Sequence, residues 1–306
     1  MASYPVSDGP HNDDWKSLLR YSFAVVDEVI REHNVPFPIQ IGGGSMLLRR
    51  YGHRKSKDLD LFVTESKLVK WCSPRFNETA ADLFVDYGED AVTTKLIIGM
   101  QEIDIIAANP IVETDATEEV VLEGRQVLVE RPREILAKKV VYRCRQFQPR
   151  DVFDLACIAE VEAEEIGAVL PWLSLAHVTD LEVRLAEIEP MLRKELAHKV
   201  EPYPAFAHVC DTCLSIANGV VATWKASLKP AVEVPPHPAG YRAIYSRDGR
   251  SVVIKNVDAT GRAKQISNPL GPAILSVDTG PKWYIDGVEL SEDEWRQSGG
   301  EGSRGR

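Results

Sequence analysis

The chain is poor in several things, and each shortage excludes a class. No stretch approaches the ~20 consecutive apolar residues needed to cross a bilayer. Its opening, MASYPVSDGPHNDDW, lacks the charged and apolar regions of a signal peptide. Cysteine is scarce and odd in number: Cys72, Cys144, Cys157, Cys210 and Cys213. Their spacings form no disulfide framework, so a reduced, cytoplasmic setting is expected. Cys210 and Cys213 make one CxxC, but a zinc site needs about four ligands and only His208 lies nearby. The pair reads as two small apolar positions on a helix. Positive charge is not in excess either. The net charge of −10 means that no overall field draws the chain to nucleic acid or anionic lipid, so any polyanion must meet a local basic patch. No internal repeat at a solenoid period is present. What remains is 306 residues, 44% of them apolar, enough for one large domain or two modest ones with a sizeable core.

WKSLLRYSFAVVDEVIREH places Trp15, Leu19, Phe23, Val26 and Ile30 at helical spacing. PFPIQIGG then predicts a short strand, SMLLRRYG a short helix and KDLDLFV a strand with Leu59, Leu61 and Val63 on one face. SKLVKWC reads as helix, and LFVDYG, TTKLIIG and QEIDIIA as strands, the last two antiparallel through Gly99-Met100. VLEGRQVLV suggests a hairpin. From Pro132 the pattern turns helical: REILAKKVVYRCR and PRDVFDLACIAEVEAEEI each open with a proline suited to a first helical turn. LPWLSL, HVTDLEVRLAEIEPMLRKEL and FAHVCDTCLSIANGVVATWKASL continue the helices. KPAVEVPPHPAG reads as a linker. Beyond it, hairpin signals with Asp248-Gly249 as a turn, then KWYIDGVELSEDEW, predict a small β-rich segment whose core is Trp283, Tyr284 and Trp295. The tail SGGEGSRGR is expected to be disordered.

The chemistry concentrates in GGGSMLLRRYGHRKSKDLDLF, residues 42–62. A glycine turn lets backbone N–H groups approach phosphate oxygens, a helix starting at Ser45 would add a favourable dipole, and the Ser45 hydroxyl can donate. On a strand, Asp58 and Asp60 face the same side. Two such carboxylates repel unless a cation or solvent separates them. Mg²⁺ takes oxygen ligands and bridges to substrate phosphates, so a metal–triphosphate site fits. A third carboxylate, Asp104, alternates with Ile103 and Ile105 and shares a face with Glu102 and Ile106. Ligation would explain an acid in so apolar a strand. The plainer alternative for each of these acids is a solvated strand edge.

These residues resemble the AbiEii-type nucleotidyltransferase toxins of abortive-infection systems, within the DNA polymerase beta-like nucleotidyltransferase superfamily. REILAKK followed by PRDVFDLA matches a later signature of that family in the expected order, so the resemblance covers about residues 37–160. Where members often carry GGT, this chain has Gly44 and Ser45, which keeps the hydroxyl. The resemblance implies that Gly43, Gly44 and Ser45 hold a triphosphate, that Asp58 and Asp60 ligate metal with Asp104 completing a two-Mg²⁺ arrangement, that Lys139 contacts phosphates or base, and that Asp151 acts beside it. Lys139 is favoured over Lys138 by the motif. Asp154 is expected to pair with Arg150 at i−4, and His53 to be a surface or supporting residue in a loop.

The layout combines the resemblance, over its matched part, with the residue patterns beyond it. The fold is α+β: a nucleotidyltransferase-type mixed β-sheet core with helices over residues 1–130, a helical domain over 131–228 completing the cleft, the linker over 229–240, the β-rich appendage over 241–296 and the tail over 297–306. The resemblance implies an NTP substrate, a cognate antitoxin protein as partner and an RNA acceptor such as the 3′ end of tRNA. A protein hydroxyl or a small molecule is an alternative acceptor, and a nucleotide-binding interaction module without transfer activity is an alternative function. Residues 130–150 carry seven basic residues against Glu130 and Glu134, and Arg49–Lys57 carries five more with His53. If both segments face one cleft they would bind an acceptor's phosphates in a salt-dependent way. The alternative is a solvated helix face.

Overall fold

The computed structural model describes residues 14–228, 232–246, 249 and 251–298. Contacts divide these residues into two compact units. One holds the described residues up to Trp172 together with Val183–Val220, and the other holds Leu173–Glu182 and the described residues from Val221 onward. No helix among the described residues is long and apolar enough to cross a membrane.

The first unit is built on a seven-stranded mixed sheet. Its elements in chain order are α1 (Asp14–His33), β1 (Gln40–Gly42), α2 (Gly43–Tyr51), β2 (Leu59–Val63), α3 (Ser66–Trp71), α4 (Glu78–Leu83), β3 (Asp86–Glu89), β4 (Thr93–Ile98), β5 (Gln101–Ala107), β6 (Thr117–Leu122), β7 (Arg125–Glu130), α5 (Pro132–Arg143), α6 (Pro149–Val161) and α7 (Ala163–Val169). The strand order is β3-β4-β5-β2-β1-β7-β6, with β1 parallel to β7, β2 parallel to β5 and the other neighbours antiparallel. Alternation decides which face is core. Leu59, Leu61 and Val63 of β2 and Ile103 and Ile105 of β5 are buried on one side, and Asp60 and Asp104 take the other.

Local chemistry fixes the boundaries. Gly52, in the left-handed region, ends α2 with its N–H on Leu48 O. Pro132 and Pro149 occupy the first turns of α5 and α6. Two expectations shift. PRDVFDLACIAEVEAEEI breaks at Glu162 into α6 and α7, and LFVDYG yields its first residue to α4, which Asn77 caps by accepting from Ala80 N at 2.7 Å.

Chain order continues through α8 (Leu175–Lys199) and α9 (Val209–Ser227). Cys213 is buried on α9, as a small apolar residue would be. Within the second unit, β8 (Tyr241–Tyr245), β9 (Ser251–Val257), β10 (Ala263–Ile266), β11 (Ile274–Ser276), β12 (Gly280–Ile285) and β13 (Val288–Leu290) form an antiparallel sheet followed by α10 (Glu292–Gln297). Its core differs from the aromatic one expected. Val252 and Ile254 on the central strand β9 pack with Val232, because β9 pairs on both sides and its β-branched residues alternate inward. Trp283 and Tyr284 are only half-buried. Trp295 is buried and donates its ring N–H to Asn268 O at 3.1 Å. The described part of the proline-rich stretch joins this unit through Val232 and through Pro236 O, which accepts from Asn268 Nδ2 at 2.9 Å. Asp248 and residues 299–306 lie outside the described residues.

Candidate active site

The strand register aligns a row of side chains across the sheet. Lys95 pairs with Asp104, Asp104 with Asp60, and Asp60 with Gly42. Ile41 pairs with Val129, so the next residues along that parallel pair, Gly42 and Glu130, are neighbours. Asp58, just before β2, and Glu102 lie two residues earlier than Asp60 and Asp104. This face lines a cavity of about 630 Å³ that also receives Gly43, Gly44 and Arg54, and Lys138, Lys139, Tyr142, Arg143 and Arg150 from α5 and α6. Sheet and helices thus bring together Asp58, Asp60, Asp104, Lys139, Gly43 and Gly44, as the sequence predicts.

The glycines serve the carboxylates. A Cβ on Gly43 would stand 1.7 Å from Oδ2 of Asp60, and Gly43 has φ +70°. A Cβ on Gly42 would stand 2.0 Å from Oε2 of Glu130. Only glycine leaves room there. A Cβ on Gly44 would meet Arg54 Nη2 at 2.7 Å. Ser45 is buried. Its hydroxyl bonds Asp58 O and Ser56 Oγ, and it is absent from the cavity lining. The helix starts at Gly43 rather than at Ser45, and the hydroxyl ties α2 to the segment that leads into β2.

Crowding shows in the acids. Burial, then the charge of Asp104, pushes Asp60 up to about 6. Dense protein surrounds Asp60, although its tip opens on the cavity. Burial and Glu102 raise Asp58. Burial raises Asp104 despite Lys95, whose Nζ lies 3.2 Å from Oδ1 but donates to Oδ2 at 3.3 Å. Oδ1 of Asp104 is buried and accepts no hydrogen bond.

Lys139 is held between two acids of α6. Its Nζ lies 2.9 Å from Asp151 Oδ1 and also bonds Asp154. Both aspartates are wholly buried, so this is no surface ion pair. Asp151 additionally caps α6, accepting from Gln148 N at 3.0 Å, and receives Arg143 Nη2 at 2.7 Å. Burial alone would raise Asp151, yet Lys139 and Arg143 hold it below the usual carboxylate range. Asp151 is therefore an anion that orients Lys139, with little affinity for a proton at neutral pH.

Asp154 departs from expectation, and His53 takes the supporting place of its two expected ones. Arg150 is exposed and does not pair with Asp154. Asp154 instead accepts both ends of the Arg54 guanidinium, at 2.7 and 2.9 Å, and His53 Nε2 at 2.9 Å. A carboxylate this buried must collect several donors. Burial would raise it, but Arg54 and Lys139 hold it well below 3.8. His53 is fully buried, not at the surface, and its burial lowers its pKa so that the ring stays neutral.

Lys138, the residue the motif disfavours, lines the same cavity as Lys139. Its Nζ bonds Glu130, lies 3.5 Å from Glu134 Oε1 and sits 3.4 Å from the Phe62 ring centroid. Glu130, unforeseen from the sequence, also accepts from Gln40 at 2.8 Å. Burial outweighs Lys138 and pushes it up to about 7. The only sequence signal for Glu130 is its position ending a strand beside the glycine turn.

The basic patch is largely consumed inside the fold. Arg50 bonds Glu162 at 2.7 Å, Arg133 bonds Glu165 at 2.7 Å, and Arg54, Lys138, Lys139 and Arg143 are spent as above. Arg150, at the cavity, makes no ion pair or hydrogen bond among the described residues, and its charge acts on Asp58, Asp60 and Asp104. A broad phosphate-binding face is thereby replaced by a compact cationic cluster at the cavity.

The donor set suits a hard divalent cation: aspartate oxygens only, one of them buried without a donor. Among the described residues no three such side chains close a cage on their own.

Among solved structures the chain is similar to a putative nucleotidyltransferase from H. pylori, 14% identical, covering 69% of this chain and 95% of that one with a TM-score of 0.41. It is also similar to an antigenic nucleotidyltransferase-like protein from Paracoccidioides brasiliensis, 16% identical, covering 65% and 98% with a TM-score of 0.32. No curated protein matches the chain. The profile described as nucleotidyl transferase AbiEii toxin, type IV toxin–antitoxin system, matches residues 41–208, more than half of the sequence, and the chain belongs to that family.

Proposed function

We propose that the chain transfers a nucleotide from an NTP to an acceptor hydroxyl with Mg²⁺ held by Asp58, Asp60 and Asp104. The observation that carries this is the set of three like charges with raised pKa values, crowded on one wall of a cavity whose other walls are a glycine turn and cations. An acid cluster of that kind is costly until a cation joins it. The metal, when bound, would neutralise these acids and polarise the triphosphate.

The chain's own groups do the rest. The Gly43–Gly44 backbone opens the first turn of α2 to a phosphate. Lys139, oriented by Asp151 and Asp154, stands where negative charge develops on the transferred group, and Arg143 and Arg150 flank it. The acceptor hydroxyl would give up its proton to a carboxylate of this wall. The family's toxin–antitoxin setting supports a cognate antitoxin as partner, and the acceptor proposed here is an RNA such as the 3′ end of tRNA.

Incubation with each α-labelled NTP, Mg²⁺ and either total RNA or cell protein tests the reading. Label should enter RNA and depend on Asp60. Label in protein alone would replace the acceptor class, and no label in any pool would remove the transferase assignment from this site.

A further inference from the structure

The sheet of the second unit has a face that its core does not use. Val252 and Ile254 of β9 point inward, with Tyr241, Ala243 and Tyr245 of β8 packed against them. The alternate residues point outward. Register sets Ile244, Val253, Ile274 and Lys282 in one row across β8, β9, β11 and β12. Two residues away along the strands, Arg242 on β8 stands directly opposite Lys255 on β9. Tyr284, two residues beyond Lys282 on β12, faces the same side. Arg242 is exposed, Ile244 is 38% exposed, and Lys255, Lys282 and Tyr284 are half-buried. Two like charges opposed across antiparallel strands destabilise a sheet. Neither Arg242 nor Lys255 makes an ion pair or hydrogen bond among the described residues. The acids close to this face are engaged elsewhere. Glu289 accepts from the Tyr284 hydroxyl at 2.5 Å and lies 3.4 Å from Lys282 Nζ, and Asp258 closes its own turn by accepting from Thr260 N and Arg262 N. In a chain of net charge −10, an uncompensated cation pair calls for an anion from outside.

We propose that this face binds a single-stranded stretch of RNA, with Arg242, Lys255 and Lys282 on its phosphates and the Tyr284 ring stacked on a base. The inference rests on the RNA acceptor proposed above. The mixture of side chains favours RNA over an acidic protein segment or an anionic lipid surface. A carboxylate-rich segment needs cations alone, and a lipid headgroup layer is met by a denser basic cluster of about four or more. Cations set around Ile244, Val253, Ile274 and an aromatic ring match a strand that alternates charged phosphates with flat, apolar base faces. The bond to Glu289 anchors the Tyr284 hydroxyl, so the ring is positioned before a base arrives.

The test measures binding of a single-stranded oligouridine to the full chain by fluorescence anisotropy, from about 50 to 200 mM salt. Wild-type protein should bind, and more weakly as salt rises. The double variant Arg242→Gln with Lys255→Gln should show a slope of log K against log salt that is shallower by about 1.4, for two phosphate contacts at ~0.7 each on a single strand. Its Tm should not fall, because the substitutions relieve a repulsion. Tyr284→Ala should weaken binding about tenfold, and Tyr284→Phe should keep it. An unchanged slope or a lowered Tm in the double variant, or wild-type affinity in Tyr284→Ala, overturns the inference. So does loss of binding to polyglutamate or to phosphatidylserine vesicles in these variants while oligouridine binding stays intact. Label transfer separates this face from the proposed reaction. If wild-type protein labels RNA while the variants bind oligouridine as before, only the face is overturned. If wild-type protein binds oligouridine through this face and labels nothing, only the transferase reading is overturned.

Discussion

Lys138 and Lys139 are adjacent in sequence, and both enter the cavity, yet they grip opposite walls. Lys138 bonds Glu130 at the end of β7, and Lys139 bonds Asp151 and Asp154 on α6. Their directions differ by about 100° around α5, and the cavity is wide enough to admit both. The pair separates two functions. Without Lys138, Glu130 keeps only Gln40 as a donor. Without Lys139, Asp151 keeps Arg143 and Asp154 keeps Arg54.

Lys138→Ala should therefore be the more damaging to stability, by about 3 kcal/mol or more, because it leaves a buried acid nearly uncompensated. Lys139→Ala should fold better and transfer far less. Urea unfolding and label transfer, run side by side, check this. The reverse ranking would show that Lys138 and not Lys139 serves the reaction.

Asp60 sets a pH dependence. Its native pKa of about 6 exceeds the ordinary 3.8, so the folded chain holds the proton more tightly than the unfolded chain. Its contribution to stability is complete below about pH 4 and is lost as the pH rises through 6. Asp60→Asn should stabilise the metal-free protein at pH 7.5 by about 1 kcal/mol, a figure reduced for solvent screening of a partly exposed group, and should make little difference at pH 4. Mg²⁺ with NTP should raise the Tm of wild-type protein and leave that of Asp60→Asn unmoved. An unchanged response to Mg²⁺–NTP in the variant would take Asp60 out of the metal site.

Asp154 has the opposite sign. Its pKa lies well below 3.8 because Arg54 and Lys139 overcome the effect of burial. Its stabilisation is present at neutral pH and is lost only as the pH falls through that low value. Asp154→Asn should cost about 3–5 kcal/mol at pH 7, since Arg54 and Lys139 lose their shared counter-charge. Denaturant midpoints from pH 7 down to pH 3 should show the gap from wild type closing only at the acid end. A gap below about 1 kcal/mol at pH 7 would contradict the network.

Much of this was legible in the sequence because it is local. Alternation placed Asp60 and Asp104 opposite Leu61 and Ile105, and prolines marked the starts of α5 and α6. What escaped was non-local. Nothing in the stretch around Arg54 announces that its guanidinium will meet Asp154, 100 residues away. The i−4 rule pointed Asp154 to Arg150, because local spacing cannot reveal that α6 turns this acid into the interior. Glu130 escaped for a similar reason: its role depends on the parallel pairing of β1 with β7, which sets it beside Gly42. The core of the second sheet was misjudged because aromatic size was weighed above strand position, and the central strand β9 carries Val252 and Ile254.

Gly43 allows backbone strain and site geometry to be told apart. Gly43 and Gly99 both sit in the left-handed region, at φ +70° and +61°. A Cβ on Gly99 meets nothing within 4 Å, whereas one on Gly43 collides with Asp60 Oδ2 at 1.7 Å. Alanine at either position should cost about 1–2 kcal/mol for the backbone alone. Gly43→Ala must in addition push the Asp60 carboxylate aside or shift the first turn of α2. The two variants should therefore melt at similar temperatures, with Gly43→Ala somewhat lower, and differ sharply in function. Gly99→Ala should retain transfer and Mg²⁺-dependent NTP binding, and Gly43→Ala should lose both. Transfer by Gly43→Ala near the wild-type rate would mean that the position of Asp60 against the glycine turn is not what the reaction needs.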